Sequence, residues 1–199
     1  MLQRTKSNSR IRAALVSLLL IVAGMALVGC GPGVAVVQSK KSDDYSARLQ
    51  RVLVARNLTS PLMTATHKNA LMTLDEMRQA FNAKITGPGV SLDYIDLENA
   101  ANKVETLTNA ISAGHPVQVL ELKTSAFETK SYVLGGYTID ATVFDVALKK
   151  IVWRTQVILN SFPSGRLRNG PFGARKSLQD DADDVADTLA AKLKADGLL

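Results

Sequence analysis

Two adjoining runs of two-residue periodicity constrain this chain most. In Tyr137–Val146, the odd positions Tyr137, Ile139, Ala141 and Val143 are apolar or aromatic, and the even positions Thr138, Asp140 and Thr142 are polar. In Ile151–Leu159, the residues Ile151, Trp153, Val157 and Leu159 are again odd, opposite Arg154, Gln156 and Asn160. Successive side chains of a strand point to opposite faces, so each run predicts one apolar and one polar face. The link Ala147-Leu148-Lys149 is too short for a crossover, so the two runs pair antiparallel as a hairpin. A hairpin with one apolar face must be covered, and Trp153 is its largest contribution to a core.

The segments upstream supply the cover. Arg51–Leu58 is short, branched and closed by Thr59-Ser60-Pro61, which predicts a first strand buried on both faces. From Thr64 onward Leu71, Leu74, Met77, Ala80, Phe81 and Ile85 recur at three- and four-residue steps until Gly87-Pro88-Gly89, the pattern of an amphipathic helix. A capping box at Thr73 and Glu76 offers a second start for it. Val90–Leu97 alternates weakly as a brief strand. Glu98–Ala113 places Ala101, Val104, Leu107 and Ile111 on one helical face before Gly114-His115-Pro116. Val117–Thr124 predicts a strand, Ser161–Gly173 a loop, and Leu178, Ala182, Val185, Leu189 and Leu193 a last helix, acidic early and basic late as the helix dipole favours. The order predicts an α+β fold, a single sandwich domain whose mixed sheet carries a long antiparallel hairpin under about three helices.

The first 30 residues have a different character. Arg4, Lys6, Arg10 and Arg12 precede an apolar run, Ala13–Val28, of about 16 residues, short of the ~20 that span a bilayer. Basic residues, a short apolar core and small residues in that order make a secretory signal peptide. The run ends in Leu27-Val28-Gly29-Cys30, which contains the sole cysteine and closely resembles the lipobox of bacterial lipoproteins. That resemblance implies cleavage between Gly29 and Cys30, a diacylglyceryl group on the Cys30 thiol and acylation of the freed amine. Each buried methylene then adds ~0.8 kcal/mol, so that two or more chains hold stably where one does not. The layout becomes a signal peptide over 1–29, a lipidated flexible tether over 30–44 and a periplasmic α+β domain over 45–199. The Val34–Val37 run leaves an edge strand open as the alternative to tether. Gly31 at the sorting position implies the outer membrane, facing the periplasm, in a host with the enteric rule, with the inner membrane left open as the alternative.

Composition narrows the chemistry. Removing residues 1–29 leaves 170, enough for one domain, with 20 basic and 18 acidic side chains, a net charge of +2. The high isoelectric point thus belongs mostly to the leader, and no electrostatic footprint for nucleic acid remains. Gly170–Ser177 has P-loop spacing, but Arg175 replaces the second glycine, where backbone amides must close on phosphate. Asp93, Asp96 and Glu98 match no calcium loop and are expected to be exposed carboxylates near a helix start, with no metal. His67 and His115 are the only histidines. His67 is expected at a helix start as a solvated or capping residue, His115 in a turn, and neither stands in a nucleophile motif. No cofactor is called for, and an enzyme is disfavoured. Arg166, Arg168, Arg175 and Lys176 crowd one loop, a basic patch suited to anionic headgroups or an acidic partner.

The run Asp145-Val146-Ala147-Leu148-Lys149-Lys150-Ile151-Val152-Trp153 is similar to a recurring Asp, turn, Lys, apolar, Trp pattern in small envelope lipoproteins. Those proteins resemble the N-terminal domain of the translocation protein TolB. Leu148 departs from the pattern, which usually has glycine there. The resemblance implies no catalytic residues. The expectation is a non-catalytic, lipid-anchored periplasmic binding or scaffolding lipoprotein of the cell envelope with an envelope protein partner. The alternative is an auxiliary or carrier component of lipid or solute transport, with an apolar pocket between hairpin and helices.

Overall fold

The computed structural model describes residues 34–130, 133–160 and 177–199. Six strands form one mixed sheet: β1 (Val34–Lys41), β2 (Arg51–Asn57), β3 (Ser91–Asp96), β4 (Gln118–Lys130), β5 (Val133–Asp145) and β6 (Lys150–Asn160). Their order across the sheet is β1-β6-β5-β4-β2-β3. The pairs β2–β3 and β2–β4 are parallel, and all others antiparallel. Among the described residues the helices are α1 (Ala65–Lys68), α2 (Leu74–Lys84), α3 (Lys103–Gly114) and α4 (Leu178–Ala195). The fold is α+β, with the β5–β6 hairpin as predicted.

The predicted first helix divides in two because it contains two caps. At each N-cap, Thr64 and Thr73, the hydroxyl accepts from a backbone N–H three residues on, and the side chain of that residue, His67 or Glu76, accepts from the cap's own N–H. Each box satisfies orphan donors and fixes a helix start, so α1 is a single turn and α2 begins at Leu74.

The crossovers place helices on both faces of the parallel strands. From β2 the chain steps outward to β3 through α1 and α2, then back across β2 to β4 through α3. Reversing direction at constant handedness puts the second helix on the opposite face. The cores confirm it. Val52 and Val54 pack with Met77, Ala80 and Phe81 of α2, whereas Leu53, Ala55 and Val119 pack with Leu107, Ala110 and Ile111 of α3. The strand β2 is therefore buried on both faces, as its composition required.

The larger core lies on the α2 side. There Tyr137, Ile139, Ala141 and Val143 of β5 and Trp153, Val157 and Leu159 of β6 meet Val185, Leu189 and Leu193 of α4, and Lys84 Nζ of α2 stands 2.9 Å from Asp187 of α4. Trp153 is 1% exposed, and its indole N–H donates to Asp196 Oδ2 at 2.7 Å.

Three sequence readings change. The span 30–44 was expected to be tether, yet β1 pairs with β6 from Val34↔Leu159 to Lys41↔Trp153. The β-branched run suits a strand, and pairing covers backbone groups that β6 would otherwise leave open. The edge-strand alternative is the one seen. Second, Ile151 was placed with Trp153 on the apolar face, but it is 50% exposed while Val152 is buried. Register runs Val143↔Trp153 and then Phe144↔Ile151, so Val152 is an extra residue, and this bulge reverses the parity of everything before it. Third, Val104 was expected on the buried stripe of α3 and is 77% exposed. It shares that stripe with Leu107 and Ile111, but it is not among the residues of α3 that pack on the core beneath the helix.

The missing glycine at Leu148 has a simple cause. The left-handed residue of the β5–β6 turn is its neighbour, Lys149 (φ 54°), and the Leu148 N–H donates to Asp145 Oδ1 at 2.9 Å. The other oxygen of Asp145 accepts from the Tyr45 hydroxyl at 2.9 Å, and Gln118 Nε2 donates to that hydroxyl at 3.1 Å. All three side chains are buried, so the network fastens the 42–50 segment beneath the sheet.

Burial pushes the Tyr45 phenol above its ordinary value of 10.0, and Asp145 adds to the rise against an opposing pull from Gln118. Because the folded value is raised, the stabilisation is complete below pH ~10 and is lost as pH rises through the folded value. Tyr45→Phe should cost about 1–3 kcal/mol near neutrality, the penalty for a buried acceptor left unmade. Urea unfolding should also show a shallower alkaline decline than in the parent, Tyr94 keeping its share in both, since burial holds it at about 12. An unchanged alkaline slope would show that Tyr45 carries none of it.

Candidate interaction site at the carboxyl end of the parallel strands

The carboxyl ends of parallel strands are where the loops of open α/β sheets converge. Here β2, β3 and β4 point their carboxyl ends the same way, and a charged side chain sits in the middle of that end. Arg56 lies in an apolar strand and is only 7% exposed. Its Nε donates to the Met72 carbonyl at 2.8 Å, and its Nη1 donates to both oxygens of Asp96 at 3.2 Å and stands 3.6 Å from Glu98. The Glu98 carboxylate accepts from the backbone N–H groups of Leu58 and Thr59. A buried cation is thus offset by two carboxylates, and one of those also satisfies the backbone of the next loop.

A second network lies beside it. Asn57 Nδ2 donates to Glu121 Oε1 at 3.0 Å, and Lys103 Nζ donates to Asn57 Oδ1 at 2.5 Å. These bonds lock the first turn of α3 to the last residue of β2. The loop between β2 and α1 then projects Leu62, which is 82% exposed. On the other side, the ring of His67 packs 5.8 Å from Phe127 at 51°. Neighbouring Phe127, Tyr137 and Leu159 help line a groove of about 60 Å³. A further groove beside Lys40, Ile151 and Arg154 measures about 100 Å³.

The residues nominated by sequence fare differently. Gly29, Cys30, Arg166, Arg168, Arg175 and Lys176 lie outside the described residues. The described residues begin at Val34, the start of β1, and β6 ends at Asn160, next to Val34's partner Leu159. His67 caps α1 and is buried rather than solvated. His115 is the exposed left-handed C-cap of α3 (φ 45°), at the opposite end, where the chain enters β4. The two histidines therefore do not share a site. The acidic trio is redistributed: Asp93 is exposed, but Asp96 and Glu98 bind Arg56 instead of standing at a helix start, since α3 begins only at Lys103. Sequence reasoning missed Arg56, although a lone charge inside the apolar run from Val52 to Leu58 signals a need for carboxylate partners. It also missed Leu62, for which no signal existed.

No helix among the described residues is long and apolar enough to cross a membrane. No family model and no curated protein matches the chain. Among solved structures, the PelC dodecamer from Paraburkholderia phytofirmans is 16% identical with a TM-score of 0.41, and the match covers 79% of this chain and 95% of that one. Protein XCC0632 from Xanthomonas campestris, assigned to the family model DUF330, is 9% identical with a TM-score of 0.37 and coverages of 80% and 95%. With TM-scores this low, neither likeness bears on function.

The network around Arg56 predicts strong coupling. Arg56→Met should cost about 3–5 kcal/mol, because it leaves a buried carboxylate without its cation. Arg56→Met with Glu98→Gln should recover part of that loss in urea unfolding. A double variant no more stable than the single one would mean that Glu98 does not depend on Arg56.

Proposed function

We propose that the chain is a non-catalytic, lipid-anchored module of the bacterial envelope, held by Cys30 in the outer membrane and facing the periplasm, where it binds or scaffolds a protein partner. The observation that carries this reading is the lone cysteine closing Leu27-Val28-Gly29-Cys30 behind a basic and apolar leader. The arrangement of the body supports it. The conspicuous polar side chains at the candidate site, Arg56, Asp96, Glu98, Asn57 and Lys103, are engaged with one another or with backbone. They look built for rigidity, leaving the surface around them to make contacts. The basic residues Arg166, Arg168, Arg175 and Lys176 supply the charge for an acidic partner or surface.

A carrier of lipid or solute is the second reading. The grooves beside Phe127 and beside Lys40, about 60 and 100 Å³, are each well below the ~300–1,000 Å³ of a small-molecule pocket, so neither would serve a carrier.

The test is Cys30→Ser. In cells fed a labelled fatty acid the parent should incorporate label and fractionate with detergent-solubilised membrane, and the variant should do neither. Equal labelling of the two would overturn the lipid-anchor reading.

A further inference from the structure

The two faces of the sheet are unequally covered. Helices α2 and α4 pack on one face, while α3 packs on Leu53, Ala55 and Val119 of the other. Beyond α3 an apolar row runs out across the strands, from Val119 to its partner Phe144 and on to Ile151. Directly opposite residues of antiparallel strands share a face, and exposure grows along this row: Val119 is buried, Phe144 half-buried and Ile151 50% exposed. The Val152 bulge is what turns Ile151 to this side. Val152 and Trp153 are buried on the other face, so the next side chain of β6 here is Arg154. Its row runs from Glu121 through Thr142 and Arg154 to Lys40. The row ends in two cations side by side, both exposed.

Like charges directly opposite one another destabilise a sheet. Among the described residues neither Arg154 nor Lys40 has an ion-pair partner, and the carboxylates of the same and the next row are held elsewhere. Glu121 accepts from Asn57, and Asp140 accepts from Ser125 and Gln156. Asp44 pairs with Lys150 instead, at 2.6 Å. Lysines on an edge strand guard it against unwanted pairing, and β1 is an edge strand among the described residues. That accounts for Lys40 but not for Arg154, whose strand is paired on both sides, with β1 and β5. The pair therefore carries a cost that the fold does not offset. Beside it lies the groove of about 100 Å³ lined by Lys40, Ser42, Ile151 and Arg154, too small for the ~300–1,000 Å³ of a small-molecule ligand but with room for one protruding side chain.

We propose that Lys40 and Arg154, with Ile151 beside them, are the docking site for an acidic segment of a protein partner. A carboxylate of that segment enters between the two cations, and an apolar side chain next to it covers Ile151 and the open part of Phe144. The proposal rests on the reading of the chain as a binding module and deepens it by naming the partner's chemistry and the face it takes. Relief of a like-charge contact and cover for an apolar row give the complex two sources of stability that the free chain lacks. Charges at the rim of such an interface act chiefly on the rate of association and its salt dependence.

Photo-crosslinking of the full-length chain in living cells tests the assignment, with p-benzoylphenylalanine placed at Ile151 and, in a second chain, at Leu62. Both positions are exposed, which spares the core. The probe at Ile151 should give an adduct with a protein whose crosslinked peptide carries Asp or Glu. Lys40→Glu with Arg154→Glu should abolish that adduct, and exchanging the acidic residues of that peptide for lysine should restore it. Lys68→Glu with Lys194→Glu, exposed lysines elsewhere whose reversal changes net charge equally, should leave it intact. Lys40→Gln with Arg154→Gln should leave the melting temperature of the purified chain unchanged or raise it. A fall would make the pair structural and overturn the proposal. So would an adduct that survives reversal of Lys40 and Arg154, or one formed with a second copy of the chain or with lipid. An adduct at Leu62 and none at Ile151 would overturn this face and leave the binding module standing. No adduct at either position would overturn this site and the binding reading with it.

Discussion

The structure depends on one sheet face being sealed around Trp153. Its indole occupies the floor of the larger core, between β6 and the end of α4, and its N–H reaches Asp196 just past the last turn of that helix. A large aromatic contributes several kcal/mol of burial only if its polar atom also finds a partner. Here the partner comes from the last residues of the chain, so the same contact fastens the terminal helix. The bulge at Val152 makes this possible. By adding one residue to β6 it buries two consecutive apolar side chains, Val152 and Trp153, where an unbroken strand would turn one of them to solvent.

That bulge also marks where the sequence stops being legible. Alternation from Trp153 to Leu159 made the hairpin and its buried face readable from residues alone, and the capping box at Thr73 made one helix start readable. A bulge leaves no signature in a periodic pattern, because Ile151, Val152 and Trp153 are all apolar and either parity accounts for them. Val104 failed for a related reason. Helical spacing tells which face a residue shares, but not how far along the helix that face stays packed. The Val34–Val37 run was too short to separate strand from tether, and the deciding factor, the open edge of β6, is a tertiary one.

The candidate site shows the same division. Asp96 and Glu98 were visible as an acidic cluster and were weighed as cation ligands or helix-start charges. Their partner turns out to be a cation of the chain itself, Arg56, forty residues earlier. Arg56 follows four apolar residues, Val52 to Ala55, and burial there demands compensating charge. Reading the lone arginine and the acidic cluster together would have joined them.

Function rests on the fate of Cys30. Intact-mass and peptide mass spectrometry of the protein purified from membranes measures that fate most directly. The account predicts a mature chain that begins at Cys30 and carries diacylglycerol and amide-linked acyl mass on that residue. A chain that retains residues before Cys30, or one that begins there with an unmodified cysteine, would contradict it.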